Sequence, residues 1–414
     1  MPRFLRPFAV TVLCWASSAS AWAAPVTADR VAAASEADRA AWMDYLERSA
    51  KLARQDREAL AAEVAAAGLP AALLPPSGGV LDIPRAAEAT WFAGPAAASL
   101  ADAVLSYQTP SGGWSKHNDY AAGPRRPGTQ WTSQSEPGKP VHYLATFDNH
   151  ATTREIGFLA RVALATGRED CRAAVRRGVR FILQAQYPNG GWPQVYPLEG
   201  KYHDDVTFND DAMIDVLELL RGVASGAEPY ADIDEPLRRE AAAATRRGIT
   251  CVLATQVEMR GRRTGWCAQY DALTLEPTRA RAFEPAALGG PETSHVLRCL
   301  MRLPDPDEEL VAAIVTGLEW LEAARVEGLR KTRVDGRTGY VEDATSNEVY
   351  LARFYDLRTG RPIFPGRDGV VYDTFEAMAG RNRVSYVYLS DLPRSIVTNG
   401  ASTWRKKWLR PTSR

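Results

Sequence analysis

The 414-residue chain lacks a net charge, because 50 lysines and arginines are balanced by 50 aspartates and glutamates. Such a chain has no general attraction to nucleic acid or to an acidic membrane surface. Any affinity for a charged ligand therefore has to come from a local site. Hydrophobic residues make up 45% of the chain and charged residues 24%, which excludes a disordered or collagen-like protein.

Cysteine and histidine are scarce, with five residues of each. The cysteines show no CxxC spacing and the histidines no ligand spacing, so neither set predicts a zinc site. The HExxH motif, the GxSxG motif and the P-loop are also missing. These absences argue against a zinc protease, a serine hydrolase of that type and a P-loop nucleotide-binding protein. No stretch beyond the first 23 residues reaches transmembrane length.

The first 23 residues have the composition of a secretory signal. Arg3 and Arg6 precede an apolar run from Phe8 to Trp15, and small residues follow. The run is too short for a membrane span, so we expect cleavage after Ala23 or Ala24 and a secreted or periplasmic protein. Without its two arginines the mature chain has 48 basic and 50 acidic residues, a charge near −2. Oxidising export permits disulfides, but a domain of this size does not need them, and we expect buried thiols at Cys171, Cys251, Cys267 and Cys299.

Apolar residues recur at helical spacing over most of the chain, as at Ile156, Leu159 and Ala163. Alternating runs are few, with candidates at Val370–Tyr372 and Tyr386–Leu389. The pattern predicts an all-α fold with a few short strands and long loops. The predicted helices cover 39–67, 97–107, 152–165, 169–184, 211–224, 236–256, 285–301, 308–326 and 376–380.

A tryptophan-containing turn is repeated along the chain. The segments 108–114 (QTPSGGW) and 186–192 (QYPNGGW) share five of seven residues, and Trp266 closes a looser copy with Gln256 upstream. The spacing of about 75 residues holds two helices and their loops, so each unit is predicted to be a helical hairpin. Repeated helical hairpins that close on themselves form an α/α toroid, with a cleft where the Gly-rich loops converge. The residues 24–95 are predicted to be a helical segment of the same domain.

Two acidic turns precede predicted helices. Asp148 and Asn149 lead into one helix, while Asp210 and Asp211 lead into another, with 62 residues between the first aspartates of the two turns (210 − 148). Helix capping alone accounts for such residues. Corresponding hairpins would nevertheless present Asp148 and Asp210 at the same end of the toroid, and loop carboxylates are ligands that Ca²⁺ prefers. EF-hand spacing is missing, and the participation of Asn149, Asp211 or Glu284 in a ligand set stays open.

Basic residues complement these turns. Lys116 follows the first GGW turn, Arg154 lies one helical turn after Asn149, and Arg367 lies in an arginine- and glycine-rich segment. A single arginine is more often part of a surface ion pair than of a functional site. The planar guanidinium nevertheless suits carboxylate recognition, because it donates two parallel hydrogen bonds. We therefore expect Lys116, Arg154 and Arg367 to bind an acidic ligand.

The order of these motifs resembles that of the pectate lyases of polysaccharide lyase family ten. The resemblance spans roughly residues 96–373 and rests on the segments 112–116, 148–153, 184–194, 207–213, 265–271 and 280–284. It implies a catalytic domain over 96–414 with an α/α toroid, calcium dependence and β-elimination of α-1,4-linked polygalacturonate to 4,5-unsaturated oligogalacturonates. It also implies that Arg281 and Asp148 are catalytic, that Asp210 and Asp148 bind Ca²⁺, and that Arg367 binds substrate. Polygalacturonate or low-methylated pectin is the expected partner of a monomer.

Other functions remain open at this point. An α/α-toroid glycoside hydrolase would use Asp148 or Asp210 as acid and base. A non-catalytic pectin-binding protein would hold the sugar with tryptophans and arginines alone. A terpenoid cyclase is disfavoured, because such enzymes usually carry Asp-rich motifs in an apolar cavity and export argues against it.

Overall fold

The computed structural model describes residues 24–33, 36–134, 141–334, 337–381, 386–391, 396 and 400–409. The predicted signal segment, residues 1–23, lies outside the described residues. Helices dominate the described part of the chain, in which no helix is both long and apolar enough to cross a bilayer. The helices are α1 (Ala28–Ala32), α2 (Glu36–Ala66), α3 (Ala89–Phe92), α4 (Pro95–Ser106), α5 (Thr153–Thr166), α6 (Glu169–Ala185), α7 (Ala212–Ser225), α8 (Glu235–Ala254), α9 (Gly290–Leu300), α10 (Glu308–Ala323), α11 (Phe375–Ala379) and α12 (Ala401–Trp408).

The predicted helices agree with these bounds to within a few residues, except for the one predicted over 285–301. The observed helix α9 begins at Gly290, five residues later than predicted. Leu288 makes extended bridges with Cys267 and Tyr355, so the segment before Gly290 is drawn into strand-like pairing. The helix α9 then begins at Gly290 with Pro291 in its first turn, where the missing proline N–H has no intrahelical partner to lose.

Within the described residues, short antiparallel strands form five small sheets, and most of these strands follow α10. The strand orders are β1–β4, β2–β3, β6–β7, β11–β10–β9 and β12–β8–β5. The mainly helical fold confirms the predicted class, and strands form close to the two predicted positions. The strands are β1 (Val206–Thr207), β2 (Glu258–Met259), β3 (Arg262–Arg263), β4 (Gln269–Tyr270), β5 (Arg325–Val326), β6 (Leu329–Val334), β7 (Arg337–Glu342), β8 (Tyr350–Ala352), β9 (Phe354–Tyr355), β10 (Pro362–Pro365), β11 (Val371–Tyr372) and β12 (Leu389–Asp391).

Consecutive helices pack as hairpins, α5 with α6, α7 with α8 and α9 with α10. The first helices of the hairpins contact one another, α5 with α7 and α7 with α9. The second helices form another layer, in which α4 contacts α6 and α6 contacts α8. Two layers of side-by-side hairpins are consistent with the predicted α/α toroid.

The repeated tryptophans are the largest fully buried side chains of the core. Each indole Nε1 donates a hydrogen bond to a backbone carbonyl near the end of the preceding helix, which holds the turn against that helix. Because a buried indole N–H has to be paired, this bond fixes the direction of the ring as well as its depth. The pairs are Trp114 with Val104 (2.8 Å), Trp192 with Ile182 (2.9 Å) and Trp266 with Val252 (2.7 Å).

The glutamine that opens each turn connects one hairpin to the next. The amide Nε2 of Gln186 donates to the Gly190 carbonyl of its own turn at 3.0 Å and to the Ala244 carbonyl of α8 at 2.9 Å. Gln108, in the preceding hairpin, and Gln256, in the following hairpin, make the same two kinds of hydrogen bond. Their partners are Gly112 and Ala174 for Gln108, and Thr264 and Ala313 for Gln256, at 2.8–3.0 Å.

The N-terminal segment packs on this helical array. Trp42 and Tyr45 of α2 are buried, with the Trp42 ring centroid 5.0 Å from that of Tyr187. Asp56 accepts hydrogen bonds from both the backbone N–H and the hydroxyl of Ser111. The four cysteines of the described chain, Cys171, Cys251, Cys267 and Cys299, are buried free thiols, as expected.

Asp205 is a completely buried carboxyl just before β1. Neither of its oxygens has a hydrogen-bond partner among the described residues. Burial raises the pKa of Asp205 to about 9, and the nearby carboxylates of Asp271 and Asp204 act in the same direction. Asp205 is therefore neutral at pH 7.

We expect Gln186→Met to destabilise the protein by about 1–3 kcal/mol, because the Gly190 carbonyl loses this donor, the Ala244 carbonyl keeps only its helical one and Nη2 of Arg247 loses an acceptor. Urea unfolding followed by circular dichroism measures the change. Gln55→Met, at an exposed glutamine of α2, is the matched control and should change the free energy of unfolding by less than about 0.5 kcal/mol. Equal effects of the two substitutions would contradict the role of the turn glutamine.

We expect Asp205→Asn to reduce the loss of stability that accompanies rising pH. An unfolded aspartate ionises near pH 4 and the folded one near 9, so between these values the unfolded chain binds fewer protons and wild-type stability falls. The difference between variant and wild type should grow between pH 5 and 8, by up to about 1.4 kcal/mol per pH unit. Unfolding at several pH values measures it, with the exposed Asp44→Asn as control. A difference independent of pH would contradict the neutral state of Asp205.

Candidate active site

A polar cavity lies where the turns of the hairpins meet the strands that follow α10. The parts of the chain that line it include the segment after the first GGW turn, the two acidic turns, the 278–285 segment and the β8–β9 connection. Four of the predicted site residues therefore come together here. The lining residues that carry the chemistry are Lys116, Asp148, Asn149, Gln194, Asn209, Asp210, Arg281, Glu284, Arg353 and Tyr386.

The two acidic turns have the same backbone shape. Each is one turn of 3-10 helix, at Asp148–His150 and at Asn209–Asp211, and its middle residue is left-handed. The middle residues are Asn149 (φ 54°) and Asp210 (φ 51°), the side-chain types that tolerate this conformation best after glycine. Asp148 therefore corresponds to Asn209 rather than to Asp210, and each turn contributes one carboxylate and one amide to the cavity.

Lys116 and Asp148 form an ion pair in the wall of the cavity. The ammonium group also lies 3.7 Å from the centroid of the Tyr143 ring, so the aromatic face and the carboxylate together hold it. The second carboxylate oxygen of Asp148, Oδ1, is buried without a hydrogen bond to any described residue. One acceptor of this carboxylate therefore remains unsatisfied by the protein.

Asp210 lies close to Asp148 in the same cavity. Burial raises the pKa of Asp210 to about 6, and the negative charge of Asp148 adds to the effect. A cation between the two carboxylates would relieve this repulsion. Gln194 also presents a buried Oε1 without a donor among the described residues. A set of carboxylate and amide oxygens with unsatisfied acceptors fits Ca²⁺ and not a soft metal.

Arg281 lines the same cavity and is paired with Glu284. Its Nε donates to Oε2 of Glu284 at 2.7 Å and its Nη2 donates to Oε1 at 2.6 Å. This bidentate pair raises the pKa of Arg281 above that of an ordinary arginine, although partial burial acts in the opposite direction. The guanidinium carbon lies 4.8 Å from the centroid of the Phe283 ring.

Arg353, in the connection between β8 and β9, is a cavity residue that the sequence reasoning missed. Its Nη2 donates to Oδ1 of Asn209 at 2.7 Å, and its guanidinium carbon lies 4.2 Å from the centroid of the Tyr386 ring. Burial acts to lower the pKa of Arg353, but Glu292, Tyr386, Asp210 and Glu284 together outweigh it and the pKa is raised. The feature of the sequence that could have indicated Arg353 is that it is the one charged residue in the apolar run 350–355.

The other two predicted arginines lie outside the wall of this cavity. The guanidinium carbon of Arg367 is 4.5 Å from the centroid of the Phe283 ring, so Arg367 shares that ring with Arg281 at the edge of the site. Arg154 is exposed on α5 and lines a separate groove with Asp215 and Tyr230. The structure therefore does not bring Arg154 together with Asp148 and Asp210.

A second group of possible metal ligands lies beside the acidic turns. One ligand atom from each of His150, Asp211 and Asp215 lies within 4.8 Å of the others. These side chains are already paired, because His150 contacts Asp215 at 2.6 Å and Asp211 pairs with His295. Of the candidates left open for calcium, Asn149 and Glu284 line the cavity, whereas Asp211 pairs with His295 and is not among the lining residues.

The family model for pectic acid lyase matches residues 108–397, more than two thirds of the chain. The chain belongs to the pectic acid lyase family. This membership makes it a polysaccharide lyase and confirms the resemblance described from its motifs.

Two solved structures of a family 10 polysaccharide lyase from Cellvibrio cellulosa are similar to this pectic acid lyase. One is an aspartate-to-alanine mutant in complex with trigalacturonic acid, with 32% identity and a TM-score of 0.66 over 76% of this chain and 95% of that chain. The other has 33% identity and a TM-score of 0.65 over 74% of this chain and 92% of that chain. No curated protein matches the sequence.

Proposed function

We propose that this pectic acid lyase cleaves α-1,4-linked polygalacturonate by calcium-assisted β-elimination. The observation that carries the proposal is the meeting of Lys116, Asp148, Asp210 and Arg281 in one cavity. A related lyase has been solved with trigalacturonic acid, which supports an acidic sugar chain as the ligand. We also propose that the enzyme is exported, because its first 23 residues have the composition of a secretory signal. We propose that it acts on low-methylated pectin, since the basic residues of the cavity need a free carboxylate to bind.

The charges of the cavity suit a uronate. Lys116, Arg281 and Arg353 bring three cationic side chains to its wall, and arginine can bind a carboxylate through two hydrogen bonds. Lys116 and Arg353 are held by aromatic rings and by hydrogen bonds, so they are ordered before the substrate arrives. Such preorganisation lowers the cost of binding and orients the sugar.

Asp148 and Asp210 would hold Ca²⁺, with amide oxygens of the two acidic turns and of Gln194 nearby. When bound, calcium supplies positive charge next to the substrate carboxylate and so stabilises the negative charge that develops when C5 loses its proton. The remaining steps depend on the side chains of the cavity.

Arg281 is the residue assigned to take the C5 proton, after which the C4–O bond breaks and a C4–C5 double bond forms. The departing glycosidic oxygen stays on C1 of the neighbouring sugar and takes up a proton, which gives a new reducing end. The assignment comes from the family resemblance. An arginine can act as a base only in its neutral form, and the ion pair with Glu284 opposes that form. Partial burial of Arg281 acts in the other direction, because it disfavours the charged guanidinium.

We expect absorbance of the conjugated C4–C5 double bond to appear when the enzyme meets polygalacturonate with calcium. A chelator should abolish the signal and added calcium should restore it, because Asp148 and Asp210 need a cation to cancel their charge. Reducing ends without the chromophore would instead indicate a hydrolase. Binding without any product would indicate a pectin-binding protein.

We expect Arg353→Lys to lower kcat/KM by roughly 10–100-fold, because lysine cannot reproduce the planar guanidinium that donates to Asn209 and lies over the Tyr386 ring. Arg154→Lys should change kcat/KM less than threefold, because Arg154 lies on a separate groove. Initial rates on polygalacturonate measure both. A larger loss at Arg154 than at Arg353 would show that sequence order, and not the observed cavity, identifies the substrate-binding arginine.

A further inference from the structure

Glu284 accepts hydrogen bonds from one edge of the Arg281 guanidinium. In addition to the two side-chain bonds, Oε2 of Glu284 accepts a hydrogen bond from the backbone N–H of Arg281 at 3.2 Å. The backbone closes the same turn, because the N–H of Glu284 donates to the Arg281 carbonyl at 2.9 Å. Three residues of separation therefore place this carboxylate directly against the arginine.

Glu284 is itself held in place from the other side. The hydroxyl of Tyr386 donates to Oε1 of Glu284 at 2.5 Å, and the Tyr386 ring stacks against the guanidinium of Arg353. The side chain of Glu284 is 12% exposed, whereas that of Arg281 is 45% exposed. The carboxylate is thus the more buried partner of the pair.

The pairing decides which nitrogen of Arg281 remains for the substrate. Glu284 occupies Nε and Nη2 on one edge of the guanidinium, and the Phe283 ring contacts the group at 4.8 Å. The third nitrogen, Nη1, has no hydrogen bond to any of the residues that the structure describes. In a planar group held along one edge, the position of Nη1 follows from the position of Glu284.

We propose that Glu284 is a positioning residue for Arg281, fixing the plane of the guanidinium so that Nη1 is the nitrogen presented to the sugar. This inference deepens the proposed lyase function and rests on it. Glu284 contacts neither the sugar nor the metal in this role and acts only through Arg281. The charge of Glu284 has a separate effect, since it favours the protonated guanidinium, so a test of position has to keep the charge.

Glu284→Asp keeps the charge and shortens the side chain by one methylene, which moves the carboxylate away from Nε and Nη2. We expect kcat to fall about 10–100-fold with KM within threefold, because a misplacement of about 1 Å can cost this much in rate. Tyr386→Phe, which removes the hydroxyl that holds Glu284, should give a smaller loss in the same direction. Glu235→Asp, at an exposed Glu–Arg pair with Arg239, is the matched control and should retain the wild-type rate.

Crystal structures of wild type and Glu284→Asp provide a second readout that does not depend on activity. We expect the guanidinium of Arg281 to be rotated or displaced in the variant, with an unchanged melting temperature. An unmoved guanidinium or a wild-type kcat would overturn the proposal. If the wild type itself forms no unsaturated product, the proposed function fails, and the two structures still decide whether Glu284 fixes Arg281.

Discussion

The repeated bond from a glutamine amide to two backbone carbonyls is the contact on which the architecture depends. One amide group donates both to a carbonyl of the turn that follows its helix and to a carbonyl of the next hairpin. Gln108, Gln186 and Gln256 therefore each close a turn and also fix the position of the neighbouring hairpin. Each amide therefore connects its own turn to a helix of the next hairpin, and a buried amide N–H without an acceptor would cost free energy. The tryptophan six residues after Gln108 or Gln186, and ten after Gln256, completes the contact by packing back on its own helix.

The position of the cavity follows from this arrangement. Trp114 is buried by its turn, and Lys116 comes two residues later, which places the ammonium group at the end of the helical array. The backbone N–H of Trp114 donates to the hydroxyl of Thr152 at 3.0 Å, so the same turn is tied to the start of α5 and to the acidic turn that precedes it. Core packing and site geometry are therefore connected through adjacent residues.

The neutral composition of the chain conceals a local separation of charge. Two carboxylates that repel each other share a cavity with three cationic side chains, and burial strengthens every one of these interactions. The arrangement costs stability in the free protein, since acceptors of Asp148 and Gln194 are left without donors. Functional sites commonly retain such unsatisfied groups because a ligand completes them.

Residues whose roles depend on nearby sequence could be predicted, and residues whose roles depend on helical phase or on distant partners could not. Lys116, Asp148 and Asp210 lie in or beside turns whose sequence determines their conformation. Arg154 lies one turn beyond Asn149 in sequence, yet its direction on α5 is outward, while the next residue, Glu155, is buried. Successive residues of a helix are rotated by about 100°, so one of these side chains is exposed and the next is buried.

Arg353 is the example of a residue whose role depends on a distant partner. It lies 144 residues after Asn209, to which it donates a hydrogen bond, and no turn motif marks it.

The sequence alone determined the helical class, the repeated hairpin, the acidic turns and the family, because these are properties of local patterns and their order. Only the tertiary structure decided which basic residues share a cavity with the two aspartates. It also decided that Arg281 is held by Glu284 along one edge and that the corresponding positions of the acidic turns are Asp148 and Asn209. These facts depend on which side chains face each other across the fold, and sequence spacing does not specify that.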